Sequence, residues 1–503
     1  MEPLYIFLSI LTISIGLVAA IIALSMTIAA IFSTILFLFV PLSIALLLSI
    51  IILRIKFSSK RDNSVTSIGF FHPYCTAGGG GERVLWQAIK TTQEHYPDIK
   101  IFVYTGDTIP DSQIFDKVKN TFDIELNRNN CKFKRLLRRK WVEASTFPRF
   151  TLIGQSLGSM VLAYEALTLL NPTIFIDTMG YAFSYPIFSI LAGSTVACYV
   201  HYPTISSDMI SRVQSNSESF NNSSTISRSK ILTLAKLIYY NIFAKIYWIV
   251  GSMSKLVLAN GTWTGNHIAN IWKKEIGKDL FVVYPPVDVE SRKELPLDWM
   301  NRKNVILSIS QFRPEKNQAL QIQTLAHLLS KYPVHKNQLN TKLILVGSTR
   351  DQGDRDRVEQ LKQLAHDLGV ANHVDFQIGV SASELNNLFS EASVGIHTMT
   401  AEHFGIGVVE MMAAGVIPVA HNSAGPKEDI VKPDITGFLA TTKEEYAEYI
   451  HEILAYREKY TDMQKKARES VDRFSDENFN SNYLKHMKPL IDSCVTPINK
   501  KDQ

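Results

Sequence analysis

From Leu4 to Leu53 the chain is apolar and carries no charged residue. About 20 apolar residues suffice to cross a bilayer, so residues 1–56 are expected to form a transmembrane anchor. The run is long enough for two spans or for one long tilted span with an interfacial piece, and Pro41 with the Ser and Thr positions between Ser25 and Thr34 hints at a break. Arg54, Lys56, Lys60 and Arg61 follow at once. By the positive-inside rule they leave the rest of the chain in the cytosol. A cleaved signal peptide does not fit, because Met1-Glu2-Pro3 lacks a positive region and the apolar part is too long.

Beyond the anchor the pattern turns to short β-branched runs separated by helical periods. The runs at 66–72, 101–104, 173–177, 195–200 and 256–260 read as strands of an alternating βα domain. Pro285-Pro286 reads as a linker, and a second alternation starts with strands at 304–310 and 342–348. The expected division is an anchor at 1–56, a first Rossmann-like domain at 64–286 and a second at 287–472. A closing segment at 473–503 is expected to cross back to the first domain through 474–487.

Two stretches are ambiguous. In 132–141 the basic residues Lys132, Lys134, Arg135, Arg138, Arg139 and Lys140 interleave with apolar ones, which reads as an interfacial helix facing anionic lipid or a lipid diphosphate. Nucleic acid would suit a similar pattern, but the anchor argues against it. Residues 231–250 are strongly apolar yet hold Lys236, Lys245, Tyr239, Tyr240, Tyr247 and Trp248, which suits a helix at the interface or docked on the domain; a further span stays open. The Ser- and Asn-rich stretch 214–229 reads as a mobile loop with sequons at Asn221 and Asn222, bare if the domain is cytosolic.

Composition narrows the picture only a little. With 503 residues, 46% of them hydrophobic, the chain can build two to three domains, and a net charge of +5 says little about partners. Cys75, Cys131, Cys198 and Cys494 are scattered without a C-x-x-C pair, so neither a zinc site nor a disulfide framework is indicated, which fits a reducing compartment.

The candidate chemistry centres on Ala401-Glu402-His403-Phe404-Gly405-Ile406-Gly407-Val408-Val409-Glu410. A helix beginning near Gly405 aims unpaired N–H groups and the positive end of its dipole at a ligand, which suits a diphosphate. Glu402 just before that helix and Glu410 within it can accept hydrogen bonds from two hydroxylated parts of one ligand. In the first domain, strand 66–72 leads into Gly78-Gly79-Gly80-Gly81, a loop able to bring amides near a phosphate or sugar. His201 stands at the carboxyl end of a strand, where α/β sheets bind ligands. In the second, Arg313 and Lys316 follow a strand and can neutralise a leaving diphosphate, and Gly347 ends the next strand in a small-residue turn. Asp354-Arg355-Asp356 sits at the acidic start of a helix, reads as a complement to the helix dipole, and no catalytic metal is expected.

The pattern Glu402-x7-Glu410, followed by Ala413-Ala414-Gly415-Val416-Ile417-Pro418-Val419 and Ser423-Ala424-Gly425-Pro426, resembles the donor site of retaining nucleotide-sugar glycosyltransferases of the GT-B fold, family 4. Together with Gly78 to Trp86, Gln155 to Met160, Ile176 to Phe183, His201 to Ser206 and Ser310 to Asn317, it is similar to the GDP-mannose-dependent α-1,2-mannosyltransferases of the endoplasmic reticulum. The resemblance covers the chain from Ile68 to about Met487. It implies two Rossmann-like domains facing a cleft, GDP-mannose as donor, no further cofactor, and addition of the fourth and fifth mannoses to a dolichyl-diphosphate-linked trimannosyl core on the cytosolic face of that membrane. Glu402 would contact the mannose hydroxyls and Glu410 the ribose. Arg313 and Lys316 would bind the diphosphate, Phe404, Gly405, Ile406 and Gly407 would line the donor site with backbone amides, and His201 would meet the transferred sugar. Gly79, Gly80 and Gly81 would approach the donor phosphates or acceptor, and other glycosyltransferases of the pathway are further expected partners. A transferase with a different donor, or a non-catalytic scaffold, would share much of this pattern.

Overall fold

The structure, a computed structural model, describes residues 2–206, 209 and 230–495. The expected loop at 214–229 and its sequons lie outside the described residues.

The first helix, α1 (Glu2–Ser58), runs unbroken through Pro41. The break expected there does not form. The hydroxyls of Ser25, Thr27, Thr34 and Ser49 donate back to carbonyls three or four residues earlier, so they satisfy themselves inside the helix instead of interrupting it. Its 57 residues span about 85 Å, more than a bilayer requires. Within 39–58 an 18-residue window has a mean hydropathy of 2.1 and no buried residue. At its end α1 docks: Phe57 is buried, Arg54 donates to the carbonyls of Ser189 and Ile190, and Arg61 donates to Asn171 and the Ala192 carbonyl. Two of the four basic residues that flank the apolar run therefore also fasten the helix to the domain.

The first domain is a seven-stranded sheet in the order β3-β2-β1-β4-β5-β6-β7, formed by Ser67–Phe71, Lys100–Thr105, Cys131–Arg135, Ile174–Asp177, Thr195–Val200, Leu256–Ala259 and Leu280–Val282 as β1 to β7. Every pairing is parallel. Strands buried on both faces explain why their sequences read as continuous apolar runs. The helices α2 (Gly80–His95), α3 (Asp111–Phe122), α4 (Thr151–Leu169), α5 (Lys230–Ser252) and α6 (Thr262–Trp272) cover it. α4 is apolar and long enough to cross a membrane, but Leu162, Ala163, Ala166 and Leu167 are in the core, which makes it a packing helix.

The interfacial helix expected at 132–141 is corrected here. Lys132, Lys134 and Arg135 belong to edge strand β3, and Arg138, Arg139 and Lys140 to the following turn and one short 3-10 turn. Pairing with β2 decides the matter: alternation puts Cys131 and Phe133 inward, where Phe133 packs on Trp86 and Phe115, and leaves Lys132 exposed. Arg135 is spent on the carbonyls of Asp107 and Ile109, and Arg139 on the Asp107 carboxylate at 2.8 Å. No helix forms here, and Lys132 and Lys134 share the outward face of the strand.

α5 docks along one side through Tyr240, Phe243, Tyr247 and Val250, while Leu234, Ile238, Ile242, Trp248 and Ile249 remain exposed on the other. The docking expected for this segment forms, and its other side is apolar and exposed.

The second domain is a six-stranded parallel sheet in the order β10-β9-β8-β11-β12-β13, built from Lys303–Ile309, Lys342–Gly347, Val374–Ile378, Ala392–His397, Ile417–His421 and Phe438–Ala440 as β8 to β13. Its helices include α7 (Gln318–Lys331), α8 (Gln352–Asp367) and α9 (Ile406–Ala413). The chain then returns: α10 (Asp476–Asp492) packs on α2, with Arg83 paired to Asp476 at 2.8 Å and Asn480 accepting from Gln87 and Thr91. At the linker the Val287 amide bonds the Phe474 carbonyl, so both crossings run side by side.

Candidate functional site

In each sheet the strand order reverses beside the first strand, at β1/β4 and at β8/β11. Crevices at the carboxyl ends of strands beside such a reversal are where α/β sheets take ligands. There the two domains face each other around a cavity of about 250 Å³. The first domain lines it with Gly80 and Gly81 after β1, His201 after β5 and Asn260 after β6; the second with Lys316 after β8, His397 at the end of β11, and Glu402 through Gly407.

Glu402 is the electrostatic centre. Its carboxylate lies 2.5 Å from the Lys316 ammonium and accepts from His397 Nε2 at 3.2 Å. Burial alone would raise this carboxyl, but the His397 hydrogen bond and the Lys316 charge outweigh it and hold the group well below the usual carboxylate range. The group therefore stays ionised.

The loop carrying it is held in an unusual backbone. Ala401 has φ +58°, Gly405 caps α9 at φ +112°, and Asn317 beside Lys316 has φ +51°. Non-glycine residues in this region cost energy, so the surroundings must enforce it. The Gly425 amide does so by donating to the Glu402 carbonyl at 2.9 Å, and a Cβ at Gly425 would meet the Phe404 backbone at 2.3 Å.

Three buried polar atoms lining this one cavity, His201 Nε2, Asn260 Oδ1 and His397 Nδ1, make no hydrogen bond within the protein. Such atoms are costly unless a ligand meets them. Burial, with His72 nearby, lowers His201 to about 4, and burial lowers His403 to about 4 as well, so both are neutral imidazoles near pH 7. Behind the glycine loop, Glu82 accepts the Gly79 amide at 2.6 Å and pairs with the fully buried His72.

Other expected positions lie outside the cavity lining. Glu410 sits within α9, 3.6 Å from Arg292; burial raises its carboxyl while Arg292 opposes this. Arg313 turns toward Glu315 at 3.8 Å and toward Arg350, whose charge adds to burial in lowering its pKa. Gly79 caps α2 at the base of the loop. Gly347 does not line the cavity either; a Cβ there would meet the Ser310 carbonyl at 2.0 Å, so its bareness lets the Arg313–Lys316 loop lie where it does. The Gly347→Ala variant is expected to lose about 1–3 kcal/mol of stability through overpacking. A denaturant midpoint unchanged from wild type would refute this.

Asp354 stands in the first turn of α8, where it accepts from the Arg350 amide and Nε. Among the described residues no group of three His, Cys, Asp or Glu side chains is placed to hold a metal ion. Sequence reasoning assigned no role to His397, Asn260 or His403. All three lie within four residues past, or at, the carboxyl end of a strand or in the quoted glutamate motif, which is the signal that could have found them.

The pH dependence of stability has a definite sign. His201, His403 and His335 all fall to about 4 by burial, so the unfolded chain binds more protons between 6.5 and 4, and stability falls as pH falls through that window. Asp177, raised to about 6 by burial, acts oppositely, losing stability as pH rises from 3.8 to 6. The histidine effect sets in at 6.5 while Asp177 acts mainly below 6, so the unfolding midpoint is expected to drop between pH 7 and 6; a flat or rising midpoint there would count against buried neutral histidines.

Comparison with known proteins places this arrangement. Residues 65–272 match the family model described as ALG11 mannosyltransferase N-terminus, and residues 291–470 match Glycosyl transferases group 1. A Dictyostelium discoideum protein named GDP-Man:Man(3)GlcNAc(2)-PP-Dol alpha-1,2-mannosyltransferase is 69% identical over 90% of each chain. A Homo sapiens protein of the same name is 48% identical over 86% of this chain and 89% of its own. Among solved structures, Anabaena Alr3699/HepE in complex with UDP and glucose aligns with a TM-score of 0.55 at 18% identity, covering 84% of this chain and all of that one. OtsA aligns at 0.60 and 12% identity, covering 84% and 99%. These likenesses establish the two-domain glycosyltransferase fold, GT-B, expected from the motifs. The chain belongs to the family of GDP-Man:Man(3)GlcNAc(2)-PP-Dol alpha-1,2-mannosyltransferases.

Proposed function

We propose that this chain transfers mannose, with retention, from GDP-mannose to the dolichyl-diphosphate-linked trimannosyl core in α-1,2 linkage, adding the fourth and fifth mannoses on the cytosolic face of the endoplasmic-reticulum membrane. The observation that carries the site is the convergence, in one interdomain cavity, of the Lys316–Glu402 pair, the amino end of α9 and three unpartnered buried polar atoms. The relatives' shared name supports the donor and acceptor.

In this reading Glu402 remains a carboxylate and accepts hydrogen bonds from mannose hydroxyls. Lys316 and the first amides of α9, which lack intrahelical acceptors, stabilise the diphosphate as the C1–O bond breaks. The acceptor hydroxyl attacks from the same face, and its proton passes to the leaving phosphate oxygen. Neutral His201 orients the transferred sugar through Nε2. In the same reading Glu410, with Arg292 beside it, meets the ribose, and Arg313 acts at longer range on the diphosphate. α1 anchors the chain, and the exposed apolar side of α5, with Leu137, Trp141 and Phe150, rests on the bilayer.

Donor identity is testable by ligand-linked stabilisation, since a ligand that binds only the folded protein raises its unfolding midpoint. GDP and GDP-mannose are expected to raise it in detergent-solubilised protein. An equal or larger rise with UDP-sugars would overturn the donor assignment.

A further inference from the structure

A second cavity, of about 810 Å³, opens from the first domain beside the first, and His201 lines both. Tyr181, Tyr239 and Tyr240 supply rings and His201 Nε2 an unpartnered polar atom; Gln155 and Ser159 also line the cavity, each with a donor spent on a carbonyl, of Val142 and Ser156 respectively, and its oxygen left as an acceptor. Flat apolar faces interspersed with hydrogen-bonding groups suit pyranose rings, whereas an isoprenoid chain has no use for the polar ones. The cavity has a direction. Tyr247 accepts from the Thr204 amide at 3.3 Å, three residues after His201, and Ala235 lines the same cavity twelve residues earlier on α5. At 1.5 Å per residue that separates the two ends by about 18 Å, several sugar rings long. The far end is bordered by the exposed Phe150 and by Thr151 of the α4 entry and by Tyr239, whose hydroxyl accepts from the Ile153 amide, and it opens to the surface beside the exposed Ala235. Beside it lie the exposed Leu234 and Ile238.

Resting on the proposed function above, we infer that this cavity binds the acceptor glycan in two successive registers. Each transfer breaks the donor C1–O bond, forms a C1–O bond to the terminal mannose and moves the acceptor proton to the leaving phosphate oxygen. For a second transfer the new terminal mannose must take the place beside His201. The rest of the glycan then shifts one ring along the cavity, toward Ala235. The length of the cavity is what permits one active centre to act twice.

Narrowing the far end tests this. In full-length protein in membranes, supplied with GDP-mannose and the dolichyl-diphosphate-linked trimannosyl acceptor, Ala235→Trp is expected to leave the first transfer near wild type. The second is expected to slow about tenfold or more relative to the first, the discrimination that misfit of a few methylenes gives, so that singly extended product accumulates. Thr151→Trp, from the opposite wall, is expected to do the same and covers the case in which the first variant does not fold. Unchanged double addition, or equal slowing of both transfers with an unchanged KM for GDP-mannose, would overturn the inference. So would a stall seen with the dolichyl acceptor but absent with a short phytanyl-linked one, which would make the cavity a site for the lipid chain. Failure of wild type to transfer at all would instead strike the proposed function.

Discussion

Lys316→Ala is expected to lower kcat with GDP-mannose by about a hundred- to a thousandfold, the range seen when one preorganised stabiliser of developing charge is removed. Among the described residues Lys316 is the Lys or Arg that lines the cavity, while Arg313 stands outside the lining with Glu315 at 3.8 Å. Lys316 also neutralises Glu402 at 2.5 Å. The variant leaves the buried Glu402 carboxylate with only His397, so its pKa rises toward the usual range and a new dependence on pH enters the rate. Lys316→Arg keeps the charge but not the compact ammonium, and is expected to recover part of the loss. A Lys316→Ala enzyme within fivefold of wild-type kcat would remove Lys316 from the chemistry.

Glu402→Gln is the second large effect, about a hundredfold or more in kcat/KM. The amide keeps the shape of the carboxylate but presents a donor to groups arranged to donate: Lys316 and His397. It also loses the charge that holds the Lys316 side chain in the cavity. The loop itself is held independently by the Gly425 amide and by the backbone at Ala401 and Gly405, so folding is expected to survive. Activity lost together with the GDP-induced rise in unfolding midpoint would point to collapse of the donor site, while loss of turnover with that rise intact would place Glu402 at the sugar.

The two sheets were legible because parallel strands buried on both faces are written as short continuous apolar runs, as in 195–200 and 343–346. The start of α9 was legible from Gly405, whose φ of +112° few other residues adopt. What misled was period. Basic and apolar residues interleaved at 132–141 satisfy a strand and a helix alike, and only the long-range pairing of β3 with β2 chooses. His397 escaped notice for a related reason: a histidine ending an apolar run looks like a core residue until the fold sets it against Glu402.

The most direct test of the central claim supplies membranes containing the full chain with labelled GDP-mannose and a dolichyl-diphosphate acceptor bearing the trimannosyl core, and reads the size of the released glycan. Growth by two hexoses is expected, both removed by an α-1,2-specific mannosidase. Folded, membrane-bound protein that leaves the acceptor unchanged with GDP-mannose, yet extends it with another nucleotide sugar, would contradict that claim.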